Sequence, residues 1–226
     1  MSDAAASHDA HRGEKGKAFT GIWAGKGYMM LTKLFGFTRT FYMRALGDVP
    51  VEGDVTVLDL GCGPGVLGFA LAKRMTPGSA LYGVDLSEDQ IRYAQEHAAD
   101  AGPAMRFSVG SMDDLAFPDG TFELVVTSMA MHEASPAVRP KAIREVARVL
   151  KPGGRFLLVD WSRPKFGLLG LIWLPLLLPG VNKGNADNWN NRYREYCREN
   201  GMELLEDRYI NSLARRQLFR KTVTGA

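Results

Sequence analysis

Between Val55 and Trp161 the hydrophobic pattern changes period repeatedly, and this alternation limits the chain to few architectures. VTVLDL (55–60), ALYGVD (80–85), MRFSVG (105–110), FELVVTSM (122–129) and RFLLVDW (155–161) read as short strands, and in the third Met105, Phe107 and Val109 share one side. Between them lie segments of helical period. PGVLGFALAKRM has Pro64 at a first helical position, and SEDQIRYAQEHAAD has Ser87 and Gln90 spaced as a capping box. PKAIREVARVL puts Ile143, Val146, Ala147 and Leu150 on one face, and the glycines of KPGG supply its left-handed cap. Strands regularly separated by helices make βαβ units. The expected fold is therefore an α/β, Rossmann-like, doubly wound sheet, mostly parallel, with helices on both faces.

The 226 residues suit one domain, and 46% hydrophobic with 23% charged residues excludes a disordered chain. Before Val55 the sequence is aromatic-rich and helical in period around Gly36, which predicts two short helices within 18–50, a cap on the domain. Residues 1–17 carry no apolar run and read as a disordered lead rather than a secretory signal. Cys62 and Cys197 are too few and too distant for a disulfide framework or a zinc cluster, which fits a cytoplasmic protein with no metal. The net charge of +3 is dispersed, with no basic stripe interleaved with aromatics, so nucleic acid is not an expected partner.

Such sheets bind ligands beyond the carboxyl ends of their strands. Gly61 to Gly65 and Asp85 both fall there. Gly63-x-Gly65-x-x-Gly68, with Asp85 20 residues beyond Gly65, satisfies the dinucleotide fingerprint, so an NAD-dependent oxidoreductase is one reading. Asp59 argues for another. A carboxylate on this strand repels a pyrophosphate but attracts a cofactor with a cationic amino group, such as S-adenosylmethionine (SAM). In that reading the glycines admit the methionine portion, Asp59 holds its positive end, and Asp85 accepts both ribose hydroxyls. Alternatively Asp59 hydrogen-bonds its own loop.

VLDLGCGPG, YGVDLS, GSMDDLAFPDGTFELVV and EVARVLKPGGRFLLVD, in this order from about Val55 to Trp161, resemble the class I SAM-dependent methyltransferases of the broad type 11 kind. The resemblance implies SAM as cofactor, S-adenosylhomocysteine as product and a methyltransferase domain over 51–226. It implies cofactor contacts at Asp59, Gly61, Cys62, Gly63, Gly65, Asp85 and Leu86, the last against adenine. Where the family carries an aspartate and a small residue after Gly110, this chain has Ser111 and Met112. The Met112 backbone then meets adenine, and Asp113 is a substitute for the missing side chain. Thr127 and Ser128 end the fourth strand, where a carbonyl could meet the amino group. His132, at the mouth of the crevice, is either a catalytic base or positioning residue, or a loop histidine bonded to nearby backbone.

The tail, LLVDWSRP followed by an apolar stretch and ending in DRYINSLARRQLFRK, is similar in layout to the menaquinone and ubiquinone C-methyltransferases. It implies a closing antiparallel hairpin and a small, apolar or lipid-like acceptor. Within an apolar and helical insertion over 165–200, KFGLLGLIWLPLLLPG (165–180) is too short to span a bilayer. It reads as buried core, as a peripheral membrane contact, or as a lid on which Trp173 faces the acceptor. Tyr28 is a second substrate candidate. DNWNNRYREYC should be a helix with Trp189, Tyr193, Tyr196 and Cys197 on one face. A SAM-binding protein without turnover is the remaining alternative.

Overall fold

In the computed structural model the described residues are 15–21, 24–34, 37–98, 103–163, 165 and 186–223, and the side chains of 28, 31–34 and 186 lie outside the description. Seven strands, β1 Thr56–Leu60, β2 Ala80–Asp85, β3 Ala104–Val109, β4 Phe122–Ser128, β5 Leu150–Trp161, β6 Met202–Tyr209 and β7 Ala214–Lys221, form one sheet. Its order is β3-β2-β1-β4-β5-β7-β6, with β7 antiparallel to both β5 and β6 and the other pairs parallel. The expected Rossmann-like sheet with a closing hairpin is what the chain forms. β1 lies between β2 and β4, so chain direction across the sheet reverses there, where such sheets open a crevice.

The helices are α1 Gly25–Leu34, α2 Arg39–Leu46, α3 Val66–Ala72, α4 Glu88–Ala98, α5 Arg139–Val149, α6 Ala186–Trp189 and α7 Arg192–Glu199. Strand alternation sorts them between the faces. Leu58, Leu60, Phe156 and Leu158 pack with Ile143 and Val146 of α5 and Tyr193 and Cys197 of α7. Val57, Leu157 and Val159 pack on the other face with Phe41 and Leu46 of α2 and Leu67 and Leu71 of α3. Asp59 has the parity of Val57 and therefore projects toward α3. Asp160 has the parity of Phe156 and projects toward α5.

Arg216 of β7 is fully buried. It donates to the Ala45 and Leu46 carbonyls at 2.9 and 3.2 Å and pairs with Glu206. Those carbonyls belong to the last turn of α2, which lacks intrahelical donors. One side chain thus joins the hairpin to the amino-terminal helices.

Several local expectations change. α5 ends with Leu150 already extended (φ −69°, ψ 137°) and pairing with Phe122, so KPGG lies inside β5. Gly153 takes its positive φ in that strand's irregular stretch rather than as a helix cap. The expected single helix over DNWNNRYREYC is broken at Asn191, whose φ of 56° is tolerated by asparagine but ends a right-handed helix. Tyr193 and Cys197 are buried together on α7 while Trp189 sits on the separate α6. Val109 is 41% exposed at the end of the edge strand β3 rather than sharing the buried side of Phe107. Of 165–180 only Lys165 is described, so the three readings of that segment and of Trp173 lie outside the described residues. Among the described residues no helix is long and apolar enough to cross a membrane, and no cluster of three metal-ligating side chains occurs.

Candidate active site

The crevice begins where β1 turns into α3. Gly65 is the left-handed N-cap of α3, so Gly68 carries one of the helix's orphan amides. The buried Asp59 accepts it, Gly68 N to Asp59 Oδ2 at 2.9 Å. A Cβ at Gly68 would stand 3.0 Å from that oxygen, so this glycine makes room for the carboxylate. Gly63 is different. Its φ is +52° and a Cβ there would meet nothing within 4 Å, so its missing side chain keeps open the space in front of the loop.

Asp85 ends β2 beside it. Its Oδ2 accepts the Gly63 amide at 2.8 Å and its Oδ1 the Ser87 amide at 2.9 Å. Burial pushes its carboxyl above the ordinary value, offset in part by the Ser87 and Gly63 amides. Burial also pushes Asp59 up to about 7; the Gly68 amide opposes this and the Asp85 charge adds to it. Two carboxylates thus share one poorly solvated crevice, and no cation of the described residues bonds to either. Ser87 caps α4 through its Oγ and the Gln90 amide at 3.2 Å, but the expected capping box closes only halfway. Gln90 instead accepts the Gly25 amide at 2.9 Å.

Asp59, Gly61, Cys62, Gly63, Asp85, Leu86, Met112 and Ser128 all border one cavity between the ends of β1, β2 and β4. Ser128 Oγ is buried there with no hydrogen-bond partner. Cys62 is buried, and burial holds its thiol far above the nucleophilic range. Four expected contacts do not border the cavity. Gly65 packs toward Phe69, Thr127 is fully buried within β4, and Ser111 bonds Asp113, which pairs with Lys15 at 3.1 Å. Tyr28 lies in α1 with its side chain outside the description.

His132 is also away from the cavity wall. Its Nδ1 meets Asp160 Oδ1 at 2.7 Å, its Nε2 meets Glu133 Oε1 at 3.2 Å, and its amide donates to Asp160 Oδ2 at 3.0 Å. Burial lowers its pKa, but the charge and hydrogen bond of Asp160, with Glu133, outweigh that and raise it to about 9. Both ring nitrogens are thus engaged by carboxylates, which favours the imidazolium form. That weighs against the general-base reading and toward a positioning or bonded loop residue.

A feature without sequence periodicity covers the crevice. Lys15–Gly21 runs across it as an extended strap, including three residues of the supposed disordered lead. Lys17 N donates to Glu133 O at 3.2 Å, Ser135 N to Lys15 O at 3.1 Å, and Gly21 N to Asp89 Oδ2 at 2.8 Å. Lys17 pairs with Glu133 at 3.0 Å, and Ser87 Oγ donates to the Phe19 carbonyl. Lys15, Lys17, Phe19 and, from α2, Tyr42 are cavity walls that the sequence did not indicate. The cavity has a volume of about 70 Å³. Small-molecule sites usually need at least about 300 Å³, so a ligand of nucleoside size requires the walls to give way, and the strap is a wall that lies outside the sheet.

Comparison with known proteins fits this geometry. A family of methyltransferase domains matches residues 57–154. The chain is 35% identical over 160 residues to the ubiquinone biosynthesis O-methyltransferase of Idiomarina loihiensis, covering 70% of this chain and 64% of that one. It is 36% identical over 111 residues to the demethylmenaquinone methyltransferase of Symbiobacterium thermophilum, covering 48% and 43%. The chain thus spans less than two thirds of the length of either curated relative. The fold matches a SAM-dependent methyltransferase from Aquifex aeolicus with a TM-score of 0.63 at 18% identity, over 84% of this chain and 98% of that one. The resemblance carried by the four motifs holds for the domain and its fold.

Proposed function

We propose that the protein is a SAM-dependent methyltransferase acting on a small, apolar acceptor. The observation that carries this reading is the pair Asp59 and Asp85, partly stripped of water at one crevice beside the open face of Gly63. A pyrophosphate would add negative charge to two carboxylates that already disfavour each other's ionisation, which weighs against a dinucleotide. A ligand with an ammonium and a sulfonium relieves that repulsion, so the residues present fit SAM. Asp85 borders the crevice and can accept a ribose hydroxyl beside its backbone amides, Leu86 and Met112 supply apolar walls, and the unpartnered Ser128 hydroxyl is available to a polar group.

Bound SAM would supply an electrophilic methyl group to the acceptor. The protein's contribution is to hold the cofactor, align the acceptor and exclude water beneath the strap. His132 serves this by clamping the β4–α5 loop to β5, not by taking a proton. The relatives named for ubiquinone biosynthesis and demethylmenaquinone support an apolar acceptor. A thermal-shift comparison tests the cofactor: S-adenosylhomocysteine should raise the melting temperature and NADH should not, because ligand bound to the native state stabilises it by mass action. Stabilisation by NADH alone would overturn the proposal.

A further inference from the structure

A second cavity adjoins the first. It has a volume of about 700 Å³ and lies among α1, α2, α3 and α4, sharing Tyr42, Pro64 and Val66 with the cofactor crevice. That volume suits a drug-sized molecule. Its apolar walls include Met29, Phe37, Met43 and Phe69. Its charged and titratable lining is one-sided: Arg39, Lys73, Arg74 and His97 border it, and no aspartate or glutamate does. Arg74 donates to the Gly47 carbonyl at 2.7 Å. Arg39 and Lys73 have no carboxylate partner among the described residues.

The placement of these groups along the helices adds direction. Val66, at the start of α3, borders both cavities, and Lys73 and Arg74 follow its last residue, Ala72. Seven residues at 1.5 Å each separate Val66 from Lys73 by about 10 Å. His97 likewise lies in the last turn of α4, whose first turn adjoins the strap. The end of the cavity marked by Val66 is therefore next to the cofactor crevice, and the end marked by Lys73, Arg74 and His97 is remote from it. Arg39 lies one helical turn from the shared Tyr42.

Resting on the methyltransferase reading, we infer that this cavity holds the acceptor and that the acceptor is an elongated apolar acid. Its anionic group is anchored by Lys73 and Arg74, and its opposite end reaches Tyr42 and the crevice. The acid is an anchor rather than the methylated group, because the cations that fix it stand a helix length from the cofactor. A neutral acceptor would leave these cations unused.

Calorimetry with three twelve-carbon probes below their micellar concentrations tests this: dodecanoate, dodecan-1-ol and dodecyltrimethylammonium. The protein should bind dodecanoate most tightly and the cationic probe least. The variant Lys73→Ala changes one exposed side chain, and its melting temperature should stay at the wild-type value. It should lose at least about fivefold in dodecanoate affinity while dodecan-1-ol and S-adenosylhomocysteine bind as before. Saturating S-adenosylhomocysteine should leave dodecanoate binding intact. Equal affinity for the three probes, unchanged dodecanoate affinity in the variant, or competition between dodecanoate and S-adenosylhomocysteine would overturn the inference. Failure of S-adenosylhomocysteine to bind at all would overturn the methyltransferase reading instead.

Discussion

Asp59 acts at two levels with one carboxylate: it satisfies an orphan amide of α3, and it places charge where water is scarce. Its pKa of about 7 against the ordinary 3.8 means that folding disfavours its ionised form. The penalty is absent below pH 4, grows as pH rises toward 7 and is complete above it, at up to about 4 kcal/mol. Asp59→Asn, which still accepts the Gly68 amide, should therefore stabilise the free protein at pH 8 by a few kcal/mol, do nothing at pH 4, and weaken S-adenosylhomocysteine binding. Denaturant titrations at the two pH values check the sign, and a variant less stable at pH 8 would mean that the loop needs the charge. His132 has the opposite linkage. Its folded pKa of about 9 exceeds the ordinary 6.5, so its contribution is full below pH 6.5 and lost as pH rises through 9. His132→Asn should cost up to about 3 kcal/mol at pH 6 and little at pH 10. A pH-independent deficit would show that shape, not charge, is what His132 provides.

The elements differ in how openly they are written in the sequence. The strands were legible because a buried parallel strand is a short apolar run between turn residues, and Asp59 and Asp85 stood out as acids at the ends of such runs. The strap was not, since an extended segment held by backbone amides to Glu133, Ser135 and Asp89 needs no periodic side chains. The break at Asn191 was hidden because its helical neighbours keep their apolar spacing. The choice between the readings of His132 was not legible because its partner Asp160 comes from a strand 28 residues away. The strap also makes a kinetic prediction, since the closed crevice is too small for the proposed cofactor. Asp89→Ala removes the acceptor of the Gly21 amide at the strap's far end and should raise the association rate of S-adenosylhomocysteine about two- to tenfold. Stopped-flow traces indistinguishable from wild type would mean that the strap does not gate entry.

For the molecule as a whole, the first and last parts of the described chain are tied together through Arg216, and through the sheet to the cofactor crevice. Arg216→Ala removes the donor to the α2 carbonyls and leaves Glu206 paired with Arg208 alone, which should cost about 2–3 kcal/mol in denaturant unfolding, chiefly from the unsatisfied carbonyls. A loss below about 1 kcal/mol would show that α2 docks by its apolar face alone. The central claim is that the acids ending β1 and β2 form a site for SAM, and calorimetry of wild type and Asp85→Ala with S-adenosylhomocysteine at pH 8 tests it most directly. Hydrogen bonds to a charged group are worth about 1.5–3 kcal/mol each, so the variant should lose roughly 2–4 kcal/mol of binding free energy, allowing for non-additivity, with its fold intact. Equal affinity in the two proteins would contradict the account.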